Sequence, residues 1–322
     1  MNKKTKNILK ITLPLLLGVF LVWYSLSKVS INELVDYAKK ADYTWIVLGM
    51  FLGFLSHLSR AYRWRYQLEP MGYQIKFANS VMAVFATYLI NYTIPRAGEV
   101  ARASILTNYE GVPFEKAFGT IVAERIADLI VMFGIIGITL FLQFDFIYGF
   151  LIEKFNPVKI IIAFIGGIIL MFLFFRFIKK SKSAIALKIR TFVNGLIEGA
   201  LSIFKMKKKW AYIFHTLFIW AMYVLMFYIT SFSIAELEGI SFGAILIGFI
   251  SASFSIAATN GGIGSYPLAI YAAFSIFAIP EDPSIAFGWI MWASQTLMII
   301  VFGGLSLIYL PIFNRKGDLT DA

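Results

Sequence analysis

The 322-residue sequence contains no cysteine. Disulfides, thiolate metal sites and cysteine nucleophiles are excluded at once. Histidine is almost as scarce, present only as His57 and His215. The two stand in different hydrophobic stretches without ligand-like neighbours, so no metal site is expected, and each reads as a packing or interface histidine. Charge is thin as well, at 15% of residues, where soluble domains carry about 25%. What is abundant is apolar: 59% hydrophobic and 17% aromatic residues. This composition predicts an all-α polytopic integral membrane protein. Acidic residues number 18 against 29 basic ones, giving a net charge of +11. The bases flank hydrophobic runs, so they read as a cytoplasmic Lys/Arg excess with attraction to anionic lipid, and no nucleic-acid partner is expected. The stretch Arg60-Ala61-Tyr62-Arg63-Trp64-Arg65-Tyr66 follows an apolar run and reads as an interfacial belt. Motifs of membrane hydrolases, zinc proteases and nucleotide-binding loops are missing from the sequence, so no catalytic residue, cofactor or enzyme activity is expected.

A run must reach roughly 20 residues to cross a bilayer core of about 30 Å. About six runs are candidates: 8–27, 44–58, 114–142, 158–178, 211–232 and 284–310. The first begins MNKKTKNILK and lacks a small-residue cleavage site, so it reads as an uncleaved signal anchor. Residues 182–204 place apolar side chains at spacings of three and four with Lys182, Lys188 and Arg190 off the stripe, the pattern of an amphipathic helix on the cytoplasmic membrane surface. The whole chain, 1–322, is expected to form one transmembrane domain.

Two further runs start as membrane helices and break. One spans 81–102 around Pro95; the other spans 242–277 and stalls at Asn260-Gly261-Gly262-Ile263-Gly264. Non-helical backbone at membrane depth is tolerated only inside protein or along a cavity, and paired broken helices point to a transporter site. If 77–108 turns back at Pro95, every basic stretch falls on one side, and both chain termini face the cytoplasm. The same count makes the second broken run re-entrant from the other side, which is the arrangement of an inverted-topology repeat. Pro95, Gly98, Asn260, Gly261, Gly262 and Gly264 are the candidate backbone gates.

Two charged clusters lie in or next to these runs: Arg96, Glu99 and Arg102, then Glu124, Arg125 and Asp128. Each ionisable residue at membrane depth costs about 2.5–3.5 kcal/mol on insertion scales. The two clusters carry three charges of each sign, so they read either as a neutral network that holds the hairpin or as a headgroup site. Arginine offers a planar fork for phosphate oxygens, and a helix start near Ala97 directs amide groups into the break, with Gly98 permitting close approach.

The strings Pro95-Arg96-Ala97-Gly98-Glu99-Val100-Ala101-Arg102, Glu124-Arg125-Ile126-Ala127-Asp128 and Gly261-Gly262-Ile263-Gly264 resemble the membrane region of lysylphosphatidylglycerol synthases, also called the flippase-like domain family. The resemblance covers roughly residues 9–310. It implies movement of a lipid between leaflets, with aminoacylated phosphatidylglycerol as the cargo in multidomain relatives. Those relatives carry a separate soluble aminoacyltransferase domain. This chain stops at Ala322 soon after its last hydrophobic run, so synthase activity is not carried over. The expected function is a flippase of the cytoplasmic membrane that moves a phospholipid or a polyprenyl-phosphate-linked headgroup, with the six charged residues as its substrate-binding set. The alternative is a membrane enzyme or accessory subunit of lipid-linked glycan or aminoacyl-lipid metabolism. Membrane lipids are the expected partners, and a second copy or a partner synthase is left open.

Overall fold

The computed structural model describes residues 18–94, 96–154, 157–181 and 206–315, together with 16, 183, 185–187 and 189–190. Pro95, both chain termini, the start of the first hydrophobic run and most of the 182–204 stretch lie outside the described residues. Those described are overwhelmingly helical, with no strand among them. The expectation of an all-α polytopic membrane protein holds.

The helices are α1 (18–28), α2 (Ile31–Lys40), α3 (Tyr43–Leu68), α4 (Phe77–Thr93), α5 (Ala97–Glu110), α6 (Phe114–Leu142), α7 (Phe144–Lys154), α8 (Pro157–Lys180), α9 (Lys209–Ser231), α10 (Phe242–Ala258), α11 (Ser265–Ser275) and α12 (Glu281–Phe313). Local sequence sets many of their ends. Ser30 and Glu33 form a reciprocal capping box on α2, the Asp42 side chain accepts from Thr44 at the start of α3, and that of Ser241 accepts from Ala244 at the start of α10. Gly111, at φ 67°, ends α5 in the left-handed conformation that favours glycine.

By length and apolarity, α6, α9 and α12 can each cross a membrane, and the α2–α3 pair makes a fourth crossing if its 87° bend lies within one span. Several expected runs prove longer than read: 44–58 belongs to the 26-residue α3, and 284–310 to the 33-residue α12. The chain forms two compact units. One holds the described residues through Ile121 and from Trp210 onward; the other is Val122–Lys209.

Both interrupted runs fold as antiparallel helical hairpins in the first unit. In the first, Glu110 at the end of α5 accepts from the Lys76 backbone and the Asn79 side chain at the start of α4, so the chain returns to the end where it entered. In the second, Ser251 donates to the Ala269 carbonyl at 2.8 Å, and Ser255 and Ser265 hydroxyls lie 2.6 Å apart nearer the tip. With 17 residues each, α4 and α10 are about 26 Å long, short of the roughly 30 Å core.

The hairpins open at opposite ends of α12. Asn79, at the open end of the first, bonds Asn314 just past the end of α12. The second leads directly into the start of α12 through residues 276–280, and Gly288 on α12 lies against Pro267 of α11. Lys28 pairs with Glu281 at that same starting end, 3.5 Å apart.

Candidate functional site

The two hairpin tips touch near the middle of α12. Asn260 in the second break donates from Nδ2 to the backbone carbonyl of Tyr92 at 2.9 Å. Thr296 of α12 donates to the Tyr92 hydroxyl at 3.2 Å, and Trp292 Nε1 donates to the Gly261 carbonyl at 2.8 Å. The irregular backbone of the second break therefore gains protein partners, as membrane depth requires. Gly261, Gly262 and Gly264 all adopt positive φ, between 66° and 77°. At Gly264 a side chain is also excluded by space, because a Cβ would lie 2.3 Å from the Val22 amide nitrogen of α1.

The first break carries Arg96 at φ 63°, a left-handed conformation that costs a non-glycine residue about 1–2 kcal/mol. Arg96 is exposed and caps α5, which restarts at Ala97. Asn91 of α4 reaches across the break and organises the first turn of α5. Its Oδ1 accepts from the Gly98 amide at 2.8 Å and its Nδ2 donates to Glu99 at 3.3 Å. The Gly98 amide, expected to face a ligand, is thus occupied. Gly98 also has a packing role: a Cβ there would sit 2.1 Å from the Thr87 carbonyl oxygen of α4.

Arg102 is buried, with 2% of its surface exposed, and its guanidinium carbon lies 3.9 Å above the centre of the Trp64 indole. Such a contact contributes roughly 2 kcal/mol when desolvated. Trp64, itself fully buried, donates to Thr120 at 2.7 Å. Around it pack Leu68, Ala83, Ala103, Leu106, Ala117 and Ile121. Arg102 is therefore a cation held on an aromatic platform inside a packed core.

The second charged cluster belongs to the second unit, on the continuation of α6. Glu124 and Asp128 are buried there at 1% and 7% exposure, as expected for residues four apart on one helix face. Arg125 is exposed.

The expected interfacial belt 60–66 is corrected by the structure: it lies partly inside the protein, because α3 runs on to Leu68. Arg60, Arg63, Trp64 and Gln67 share one helix face and are buried, while Tyr62, Arg65 and Tyr66 are partly exposed. Arg63 donates to Thr216 at 2.7 Å and lies over the Tyr212 ring. His57 packs among Phe85, Tyr88 and Tyr223, and His215 Nδ1 meets the Ser59 hydroxyl at 2.8 Å. Asn91 and Tyr92 are polar partners that spacing along the sequence did not single out.

Residues 11–303 match the family described as Lysylphosphatidylglycerol synthase TM region. The chain belongs to that family. Among relatives of this family member is the UPF0104 membrane protein MJ1595 of Methanocaldococcus jannaschii, 25% identical over 87% of this chain and 88% of the relative. The UPF0104 membrane protein PH1989 of Pyrococcus horikoshii is 27% identical over 49% of the chain and 46% of its own length. Glycosyltransferase AglD of Haloferax volcanii is 26% identical over 34% of the chain, an alignment that spans only 18% of AglD.

Proposed function

We propose that this protein moves a phospholipid or lipid-linked headgroup between leaflets of the cytoplasmic membrane. The observation that carries this reading is the meeting of two helical hairpins, open at opposite ends, at Asn260 and Tyr92 beside the middle of α12. Paired interrupted helices of this kind build midplane substrate sites in transporters, where one half can rock against the other. In this reading both hairpins are re-entrant. The end bearing Lys76 and Arg315 faces the cytoplasm, by the excess of bases over short loops, and the chain termini lie on that side.

Arg96 occupies the tip of the first hairpin in a strained backbone conformation, and such outliers gather at functional positions. We assign it first contact with the phosphate, with Glu99 as its orienting carboxylate and Arg102 as the buried charge behind it. Within the second unit, Glu124, Arg125 and Asp128 are proposed by themselves as further headgroup contacts. The exchange of internal pairs for ligand pairs lets the charge stay compensated as the headgroup passes. No catalytic step is part of this proposal. The lipid is a bound cargo, and the driving force is its own gradient or a coupled ion.

The test is a leaflet-accessibility assay in proteoliposomes with fluorescent phosphatidylglycerol and polyprenyl-phosphate probes. Wild-type protein is expected to expose the inner-leaflet probe, and Arg96→Ala to slow that exposure by about tenfold or more, the loss of a charge-assisted contact. Equal rates for a correctly folded variant remove Arg96 from the mechanism. No movement of either probe by wild-type protein overturns the translocation reading.

A second reading draws on the partial likeness to a glycosyltransferase. It makes the chain an accessory of lipid-linked glycan assembly. Lipid mass profiles of a deletion strain separate the two, because only the second reading requires a covalently altered lipid.

A further inference from the structure

His57 is a buried titratable side chain that the translocation reading leaves unused. It is 5% exposed and shares a face of α3 with Gly53 and Arg60. Its ring centre lies 5.3 Å from that of Phe85 and 4.6 Å from that of Tyr88, both on α4, and 6.2 Å from that of Tyr223 on α9. From α12, Gln295 reaches the same face of α3, where its Oε1 lies 3.1 Å from the position of a Cβ on Gly53, one turn before His57. The titratable and charged groups that face the ring are Arg60 from its own helix, Tyr88 from α4 and Tyr223 from α9; among the described residues, Arg60 is the charged group that acts on it.

Three buried nitrogens in this neighbourhood have no hydrogen-bond partner among the described residues: His57 Nδ1, Trp220 Nε1 and Gln295 Nε2. Trp220 meets Tyr223 edge-on at 6.0 Å. An interior with one arrangement satisfies nearly all such atoms, so each exception needs a reason. A contact that also exists parted and wet supplies one, because water then completes the hydrogen bonds. His57 is tied to the hairpin tips by two short routes. Tyr88 stands one turn before Tyr92 on α4, and Gln295 is next to Thr296 on α12. Tyr92 joins Asn260 of the second break to Thr296.

We infer that His57 is a proton-binding site and that its protonation parts the tips of the two hairpins. With the tips closed, an imidazolium would be a second buried cation one turn from Arg60, and no carboxylate stands among the groups that face it. The ring faces of Tyr88 and Tyr223 offset part of that cost, and Arg60 adds to it. A neutral ring avoids it. Protonation therefore favours movement of α4 away from α3, which draws Tyr92 off Asn260. Water reaches the ring past Tyr88 and Tyr223, which are partly exposed and hold their hydroxyls 3.5 Å apart. Linkage makes the relation reciprocal: parting the tips takes a proton from water, and closing them returns it. The inference takes from the proposed function only the tip contact, and a negative leaflet assay leaves it standing.

The experiment uses the full chain in phosphatidylglycerol nanodiscs. His57 and His215 are its two histidines, so His215→Asn leaves one imidazole to observe. With nitrogen-15 histidine, the ring resonances are expected to pass from the neutral to the doubly protonated pattern between about pH 8 and pH 5. In a second arm, Tyr92→Cys/Asn260→Cys is treated with a short bifunctional thiol reagent at both ends of that range, with and without His57→Phe. Phenylalanine keeps a packed ring and cannot take a proton. Thiol reactivity itself varies with pH, so the yield is read as a ratio to the His57→Phe background. That ratio is expected to fall by about threefold or more on acidification. His57→Gln replaces His57→Phe if phenylalanine disturbs the fold. Ring resonances that stay neutral across the range, or a ratio unchanged by pH, overturn the inference. A pH response that His215→Asn abolishes and His57→Phe leaves intact overturns it too, because the proton then belongs to the other histidine.

Discussion

Gly98 shows how narrowly single residues are constrained in this chain. Its α-carbon faces the Thr87 carbonyl, and its amide is held by Asn91, so the two helices of the first hairpin meet backbone to backbone. Gly98→Ala is therefore expected to lower stability by about 1–3 kcal/mol through overpacking. Gly119→Ala is the control. It lies on an exposed part of α6 with nothing within 4 Å of an added Cβ, and it should be neutral or stabilising by up to about 1 kcal/mol from helix propensity. Unfolding midpoints in mixed micelles measure both, and equal midpoints would mean that the hairpin helices do not approach this closely. The sequence marked Gly98 as a point of close approach and placed a ligand there; the neighbour is α4. Spacing along the chain could not reveal this, because Asn91 and Thr87 lie across the break. Arg63 and Trp64 were read as part of an interfacial belt for a related reason. They continue a helix beyond its apolar run, and only the observed length of α3 turns residues 60, 63, 64 and 67 into a buried face.

At the level of elements, both interrupted helices were legible because broken hydrophobic runs with Pro, Gly and Asn have few structural solutions. Observed boundaries such as Ala258 and Ser265 fall at the glycine cluster itself. Helix α2 lies outside the hydrophobic runs read from the sequence. It is short and polar, but Ser30 and Glu33 carried a capping signal in plain view. That box gives a pH-dependent prediction. Hydrogen bonds from the Ser30 hydroxyl and backbone hold the Glu33 carboxyl below its ordinary value of 4.5. A depressed carboxylate stabilises the helix above that ordinary value, and the contribution is lost as pH falls through the depressed one. Amide protection in α2, taken relative to the intrinsic exchange rate at each pH, should thus fall on acidification below the usual glutamate range. Glu33→Gln should flatten this response, and an unchanged profile would dissociate Glu33 from the cap. The amphipathic 182–204 stretch falls largely outside the described residues, so its reading stands as an expectation from the sequence alone.

For the whole molecule, the central claim is that two chain interruptions entering from opposite ends of α12 meet at Tyr92 and Asn260. Fold class and the pairing of the hairpins followed from hydrophobic length and the distribution of bases. Contact between their tips did not, because it depends on hydrogen bonds between residues far apart in sequence. The six charged residues also divide between two compact units, a partition that no local pattern records. The absence of cysteine gives a clean test of the tips. Tyr92→Cys and Asn260→Cys introduced together, treated with a short bifunctional thiol reagent in intact membranes, should yield a cross-link within one chain, identified by mass spectrometry of the joined peptides. Single labelling of both cysteines without that cross-link, or joining only between separate copies, would contradict the account.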